Sequence, residues 1–481
     1  VEKMRILFVE PPKDYWFIMG EYRPPPFGLL CLAAYLEANL NNVEIAVVDC
    51  QAEQLRWDAL EKRISEVNPD MVCPSALSTT NAYLVARTSQ LAKKINPEIT
   101  TVIGGIHFSA LSEETLATYP EIDYVVRGEG EQTLLELVQA LSGQLPLAQV
   151  NGLTYRDGRK ILHTPNRAPI TNLDTLPYPG YHFVREHMKR YHFLMMAGKK
   201  NPYALIEASR GCDHQCSFCT QWRYWGRCRR KSPKRVADEF EYVYHEFGSR
   251  FLWLTDDNLG LGPWMDQFCD ELLQRDIQDD LLWFMQIRAD DIIHHQHLLP
   301  KMRQTGLHWA MAGSETHDPD TLQKYRKGLE PSMAKDAMAL LKANGIMAQT
   351  TAIIGERSAT HESIATFRHW IDEMNPDLAI FMILTPFPGT ELYTTAKQQG
   401  WIEDDNWAHY DMIHAIMPTE HLTRREVQHE LYRCYQDFFG SWKRRLSGLF
   451  STNKVKRSCY RYMMRRGVVQ ALKDLFLMLK S

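Results

Sequence analysis

Short apolar runs alternate with longer stretches of helical periodicity through most of the chain. Arg5-Ile6-Leu7-Phe8-Val9, followed by Glu10-Pro11-Pro12, reads as a buried strand that ends in a loop. Residues 44–49, 71–74, 100–104 and 123–127 repeat this pattern with amphipathic stretches between them, which predicts a doubly wound α/β domain over residues 1–145. A connector is expected over 146–200. In it an Asp157-Gly158 turn predicts a hairpin, and the proline-punctuated residues 173–180 predict an extended crossing. A second series, at 203–207, 251–255, 283–287, 309–312, 349–354 and 378–384, predicts six β/α units of a partial barrel over 201–395. Ser232-Pro233 supplies the cap and first residue of its first helix. Residues 396–481 read as helical, with a capped start at 422–427.

Composition narrows the class. The 481 residues are 44% hydrophobic and 24% charged, enough for about three soluble domains. A net charge of -4 gives no whole-chain signal for nucleic acid, and none is expected as a partner. Ten dispersed cysteines, no leader pattern and no apolar run of membrane-span length predict reduced thiols in a cytoplasmic protein, with membrane association not expected. Residues 441–481 depart from the average, with eleven Lys/Arg against the single acid Asp474. That tail reads either as a docking segment for an acidic protein partner, with a nucleic acid or membrane surface ranked below it, or as a basic helical lid on the remainder of the chain, the lid being preferred.

The loop after the first barrel strand carries Cys212-Asp213-His214-Gln215-Cys216-Ser217-Phe218-Cys219. Three thiols at this spacing are one short of a closed zinc site and one short of a saturated four-iron cluster. A zinc knuckle completed by Cys228 or His214, and three unrelated buried cysteines, are the alternatives. The spacing, with Phe218 before the last cysteine, resembles the signature of the radical S-adenosylmethionine (SAM) superfamily. The resemblance implies a [4Fe-4S] cluster on Cys212, Cys216 and Cys219 with SAM on the open iron. It also implies SAM contacts from Gln286, Arg288, Ser314 and Glu315, and backbone from Ile353 and Gly355 against the adenine. The basic run 227–231 is read either as a neutraliser of a cofactor anion or as a solvated loop.

Loops of the amino-terminal domain resemble the cobalamin-binding, Rossmann-like domain of one branch of that superfamily. They are Pro25-Pro26-Phe27-Gly28, the hydroxyl run with Ser75, Ser78, Thr79 and Thr80, Gly104-Gly105-Ile106-His107, and Gly128-Glu129-Gly130-Glu131. Glycines admit close approach of a flat macrocycle, and hydroxyls bond its amides and phosphate. Where many cobalamin domains carry a cobalt-ligating histidine, this chain has Asp49-Cys50-Gln51. The resemblance therefore implies base-off cobalamin without a histidine ligand.

Together these imply C-methylation of an unactivated carbon, with a 5′-deoxyadenosyl radical abstracting hydrogen and methylcobalamin delivering the methyl group. The substrate is expected to be a small molecule or a protein side chain, such as a residue of methyl-coenzyme M reductase, and the reductant a flavodoxin or ferredoxin. Tyr15, Trp16, Tyr22, Trp222, Tyr224 and Trp225 are candidate cavity walls. Two alternatives stand beside this reading: a ring-forming oxidase similar to the anaerobic magnesium-protoporphyrin monomethyl ester cyclase, and a non-catalytic cobalamin and cluster protein.

Overall fold

The computed structural model describes residues 3–13, 22–75, 78–197, 201–256 and 258–478. Tyr15 and Trp16 lie outside them. The amino-terminal domain is a sheet of β1 (Met4–Glu10), β2 (Val43–Asp49), β3 (Met71–Pro74), β4 (Thr100–Ile103) and β5 (Tyr124–Val126), in the order β2-β1-β3-β4-β5 with all neighbours parallel. Both faces are covered, so the centre of β1, Ile6-Leu7-Phe8-Val9, is continuously apolar and does not alternate. Ile6 and Phe8 meet Leu29 and Leu36 of α1 (Phe27–Asn39) and Leu137 of α4 (Gly130–Leu141). Leu7 and Val9 meet Leu60 of α2 (Trp57–Val67) and Ala92 of α3 (Ala82–Ile95). Strand order reverses between β1 and β3, and the crevice above such a switch point is where open α/β sheets take their ligands.

The hairpin of the connector, β6 (Leu153–Asp157) and β7 (Lys160–His163), extends this sheet by antiparallel pairing of β6 with β5. The rest of the connector crosses to the barrel, where Tyr181 is fully buried and its hydroxyl donates 2.6 Å to the carbonyl of Leu205.

The second sheet holds six parallel strands in chain order: β8 (Tyr203–Ile206), β9 (Phe251–Leu254), β10 (Leu282–Gln286), β11 (Leu307–Glu315), β12 (Met347–Ile354) and β13 (Leu378–Ile383). Helices α5 (Pro233–Phe247), α6 (Pro263–Leu273), α7 (Pro331–Ala343) and α8 (His361–Met374) lie outside it, and α9 (Glu391–Gln398) follows β13. Ser232 Oγ accepts from Arg235 N, capping α5 ahead of Pro233.

Burial along the strands shows an inner space that is closed at one end. Near the strand starts an aromatic floor fills it: Phe284 stacks on Trp309 with centroids 3.8 Å apart, Phe251 and Tyr203 pack beside them, and Trp253 stacks on Phe284 at 4.9 Å. Toward the strand ends, alternate residues are half-exposed although helices cover the outside: Trp253, Gln286, Met311, Gly313, Thr351, Ile380 and Met382. These line an open lumen at the carboxyl ends of the strands, the end at which barrels carry chemistry. Tyr22 joins the aromatic core, edge-on to Tyr203 at 5.7 Å.

The tail folds under the floor. Thr423 and Glu426 form a capping box that starts α10 (Arg424–Gly440), and α11 (Trp442–Leu449) and α12 (Lys454–Met478) follow. Asn453 Nδ2 donates to the carbonyls of His308 and Gly345 at 2.9 and 2.8 Å, Lys456 pairs with Asp377 at 2.5 Å, and Tyr460 Oη donates to Asp377 O at 2.7 Å. These partners sit at the starts of β11, β12 and β13, so the tail plugs the end of the barrel opposite the lumen.

Candidate functional site

The cysteine loop leaves β8 at the open end of the lumen. A ladder pairing Ser209 with Arg230 and Arg210 with Arg229 pins its base. Gly211 then turns at φ +90, where a Cβ would stand 2.4 Å from the carbonyl of Arg227, so only glycine is accommodated. Cys212 N donates to Gly226 O at 3.1 Å, and Cys219 N and Trp222 Nε1 both donate to Cys216 O, at 3.2 and 3.0 Å. Across the loop, Ser217 N donates to Tyr325 O at 3.1 Å, and the Phe218 ring meets Tyr325 edge-on at 4.9 Å. Phe218, Tyr325 and Ile353 belong to one apolar cluster.

Three thiols on one loop are a donor set of the kind that holds iron–sulfur clusters. Among the described residues no three His, Cys, Asp or Glu side chains converge on one ion position, whereas a cuboidal cluster takes one thiolate at each of separate corners. The Cys228 thiol is hydrogen-bonded with Ser209. Burial raises the Cys216 pKa, while the positive charges of Lys327 and Arg288 oppose that rise.

Of the polar strand ends, Arg288 and Glu315 come to the cysteine loop as members of ion pairs. Arg288 Nη2 binds Asp290 at 3.0 Å and the carbonyl of Lys327 at 2.9 Å. Glu315 binds Lys327 Nζ at 2.5 Å and holds a backbone φ of +58. The pair folds over Gly313, whose Cβ would collide with Glu315 Oε1 at 2.4 Å. Gln286 is half-exposed in the lumen. Gly355 turns at φ +81 beneath Val427 of α10. Ser314 faces the other way: its Oγ lies 2.6 Å from Thr350 Oγ1 and 3.8 Å from Met374 Sδ of the outer helix α8. A register shift between Gly313 and Glu315 breaks the alternation there.

The amino-terminal loops meet this mouth through buried charge. Arg210, 5% exposed, binds Glu131 at 2.6 Å and Glu207 at 2.9 Å and lies 3.5 Å from Glu129. Arg229 binds Glu129 from the other side at 2.5 Å, and Glu129 also accepts from Ile170 N at 2.9 Å. Tyr224 Oη donates 2.7 Å to the carbonyl of Gly128, and Trp225 lies under the Arg210 guanidinium at 5.2 Å. The loop 128–131 is thus clamped directly to the residues that precede Cys212. The basic run is largely used in this framework, since Arg230 donates to Leu259 O and Lys231 pairs with Glu239.

The other amino-terminal candidates lie at the ligand end of their sheet. Ser75 N donates to Val9 O at 3.0 Å across the switch point. Thr79 is buried, and Ser78 and Thr80 share a 2.6 Å hydroxyl contact at the surface. Gly105 and Gly128 have φ of +94 and +75, and nothing stands within 4 Å of a Cβ at Gly128. Gly104 packs under Val126 O and Gly130 under Leu32. His107, 5% exposed, sits edge-on between Phe108 and Trp407, each at 5.0 Å, and its Nδ1 has no protein partner. Burial lowers its pKa to about 4. At the end of β2, Asp49 Oδ1 accepts from Gln51 N and Ala52 N.

Tyr325 and Lys327 went unmarked in the sequence. The one sequence signal near them is Gly328, which marks the turn that the structure shows, with φ of +54 at Arg326 and +65 at Gly328.

Two family models match the chain, a B12 binding domain over residues 19–138 and the radical SAM superfamily over 206–371. The chain is 31% identical, over 98% of its length and 84% of the relative's, to an anaerobic magnesium-protoporphyrin IX monomethyl ester cyclase of Rubrivivax gelatinosus. It is 30% identical to an uncharacterized methyltransferase of Pyrococcus horikoshii, over 91% of this chain and 92% of that one. The structure of the cobalamin-dependent SAM radical enzyme OxsB with aqua-cobalamin and SAM bound superposes with a TM-score of 0.72 at 16% identity, covering 97% of this chain and 71% of that one. The chain belongs to the cobalamin-binding radical SAM family.

Proposed function

We propose that the protein is a methyltransferase that uses a [4Fe-4S] cluster, SAM and cobalamin to methylate a carbon of its substrate. The observation that supports this is the convergence of two ligand loops: Glu129 and Glu131 on one sheet and Arg210 beside the cysteines on the other share one buried ionic cluster. The residues present suit the groups. Cys212, Cys216 and Cys219 would hold the cluster, and the glycine and hydroxyl loops at the switch point would take cobalamin, with no imidazole offered at Asp49 and Cys50. When bound, the cluster and SAM supply a carbon radical on the adenosyl group, and cobalamin supplies the methyl group.

The chain's own part is position and exclusion of water. The aromatic floor of Tyr203, Phe251, Phe284 and Trp309 closes the lumen below, and Trp253, Met311, Ile380 and Met382 give it apolar walls. At the mouth Arg288 is paired with Asp290 and Glu315 with Lys327. An apolar wall of this kind is suited to a carbon that carries no activating group. An external one-electron reductant of flavodoxin or ferredoxin type is required.

Anaerobic incubation of candidate substrates with SAM carrying a deuterated methyl group tests the proposal. A product one labelled methyl heavier is expected. Ring closure with oxygen insertion and no label would instead support oxidative cyclisation, the second reading, which the similarity to the Rubrivivax cyclase over 98% of the chain favours.

A further inference from the structure

The helix α11 turns Trp442 and Leu446, with Phe450 directly after it, to solvent, and turns Arg444 and Gly448 to the protein. Trp442, Leu446 and Phe450, spaced four apart and so within about 80° of one another around the helix, are 66%, 52% and 83% exposed. The opposite face carries Arg444 and Gly448. Arg444 donates to Pro376 O at 2.7 Å and binds Asp372 at 3.0 Å. A Cβ on Gly448 would stand 2.0 Å from the Tyr460 ring, so close packing on α12 depends on glycine there. The docking that turns the stripe outward is therefore built from specific contacts. An ordinary surface helix turns its apolar face to the core.

The charge beside the stripe has one sign. Residues 441–466 hold nine Lys/Arg and no acid. Lys443, Lys454, Arg461, Arg465 and Arg466 are exposed, and Arg445 lies over the Trp442 ring at 5.2 Å. A projecting row of Trp, Leu and Phe flanked by long cationic side chains matches the headgroup and upper acyl region of an anionic bilayer, where aromatic rings insert and Lys and Arg reach lipid phosphates.

We propose that α11 is a peripheral anchor by which the protein docks on an anionic membrane surface. Among the described residues no helix is long and apolar enough to cross a membrane, so the attachment is interfacial and reversible. Because α11 and α12 lie at the starts of the barrel strands, the lumen mouth faces away from the bilayer. The inference is independent of the reaction catalysed.

Flotation of the reconstituted full-length protein with phosphatidylcholine vesicles, with and without phosphatidylglycerol, tests it. Binding to the anionic vesicles alone, lost at high ionic strength, is expected. The triple variant Trp442→Ser, Leu446→Ser, Phe450→Ser should bind at least tenfold more weakly, as should Lys443→Glu with Lys454→Glu, while melting temperature and iron content stay unchanged. Absence of wild-type flotation, or flotation of the triple variant at wild-type strength, would overturn the proposal. So would a wild-type dimer that the triple variant converts to a monomer, or capture of a protein partner through the stripe without vesicle binding.

Discussion

Arg210 is the residue whose replacement reads the junction of the two sheets most clearly. It is 5% exposed and answers Glu131, Glu207 and Glu129, so Arg210→Gln leaves acids without their cation inside the protein. Glu129 keeps Arg229 at 2.5 Å, and Glu207 has a more exposed side chain than its partner, at 15% against 4%. The loss is therefore concentrated on Glu131, 5% exposed. Breaking a buried pair by removing one partner costs about 3–5 kcal/mol, mainly desolvation of the survivor. Glu131→Gln in the same chain removes the stranded charge, and the double variant should recover about 2 kcal/mol of that loss. Arg210→Lys retains charge without the planar fork and should fall between wild type and Arg210→Gln. Denaturant unfolding of wild type, Arg210→Gln, Glu131→Gln, the double variant and Arg210→Lys, followed separately through the two sheets by hydrogen exchange, measures the cycle. The transition of the amino-terminal sheet should separate from that of the barrel in Arg210→Gln. Strict additivity of Arg210→Gln and Glu131→Gln, or a single-variant loss below about 0.5 kcal/mol, would refute the reasoning.

Three further outcomes follow from the geometry. Gly211→Ala forces a Cβ into the carbonyl of Arg227 at 2.4 Å, so iron and sulfide content should fall several-fold while circular dichroism stays that of a folded protein. His107 is kept neutral by burial, with a pKa of about 4, so its contribution is complete above the unfolded value and is lost as pH falls from about 6.5 toward 4. His107→Phe should reduce the acid-induced loss of stability over that window by up to about 3 kcal/mol, measured by unfolding at each pH. Asn453→Ala strands the carbonyls of His308 and Gly345 beneath the barrel and should cost about 1–3 kcal/mol, with protease cutting the tail faster.

Much of the fold was legible because strands buried on both faces are written as unbroken apolar runs, as at 6–9, and because the barrel strands end in conspicuous polar groups. The cysteine loop was legible because its ligands lie within one short segment. What joins distant segments was not. The contact of Arg210 with Glu131 spans 79 residues, and no local period announces it. Pairing of β6 with β5 is equally non-local: the turn predicts the hairpin but not the edge it joins. Ser314 shows how a local rule fails. Strict alternation would group it with the lumen or with the helices according to register, and the shift beside it decides that it meets Thr350 and Met374. The outward face of α11 was hidden for the opposite reason, since the rule that apolar residues point inward assigns Trp442 and Phe450 to a core they do not join.

The central claim is that one chain brings a cluster and a cobalamin to the same mouth. Electron paramagnetic resonance of the reduced holoprotein, with both the cluster and cobalt(II) cobalamin in their spin-bearing states, tests this directly. The account predicts dipolar coupling between the two spins, abolished together with the cluster signal in the Cys212→Ala, Cys216→Ala, Cys219→Ala variant. Two fully loaded but uncoupled spins, or a cluster signal that survives loss of the three cysteines, would contradict it.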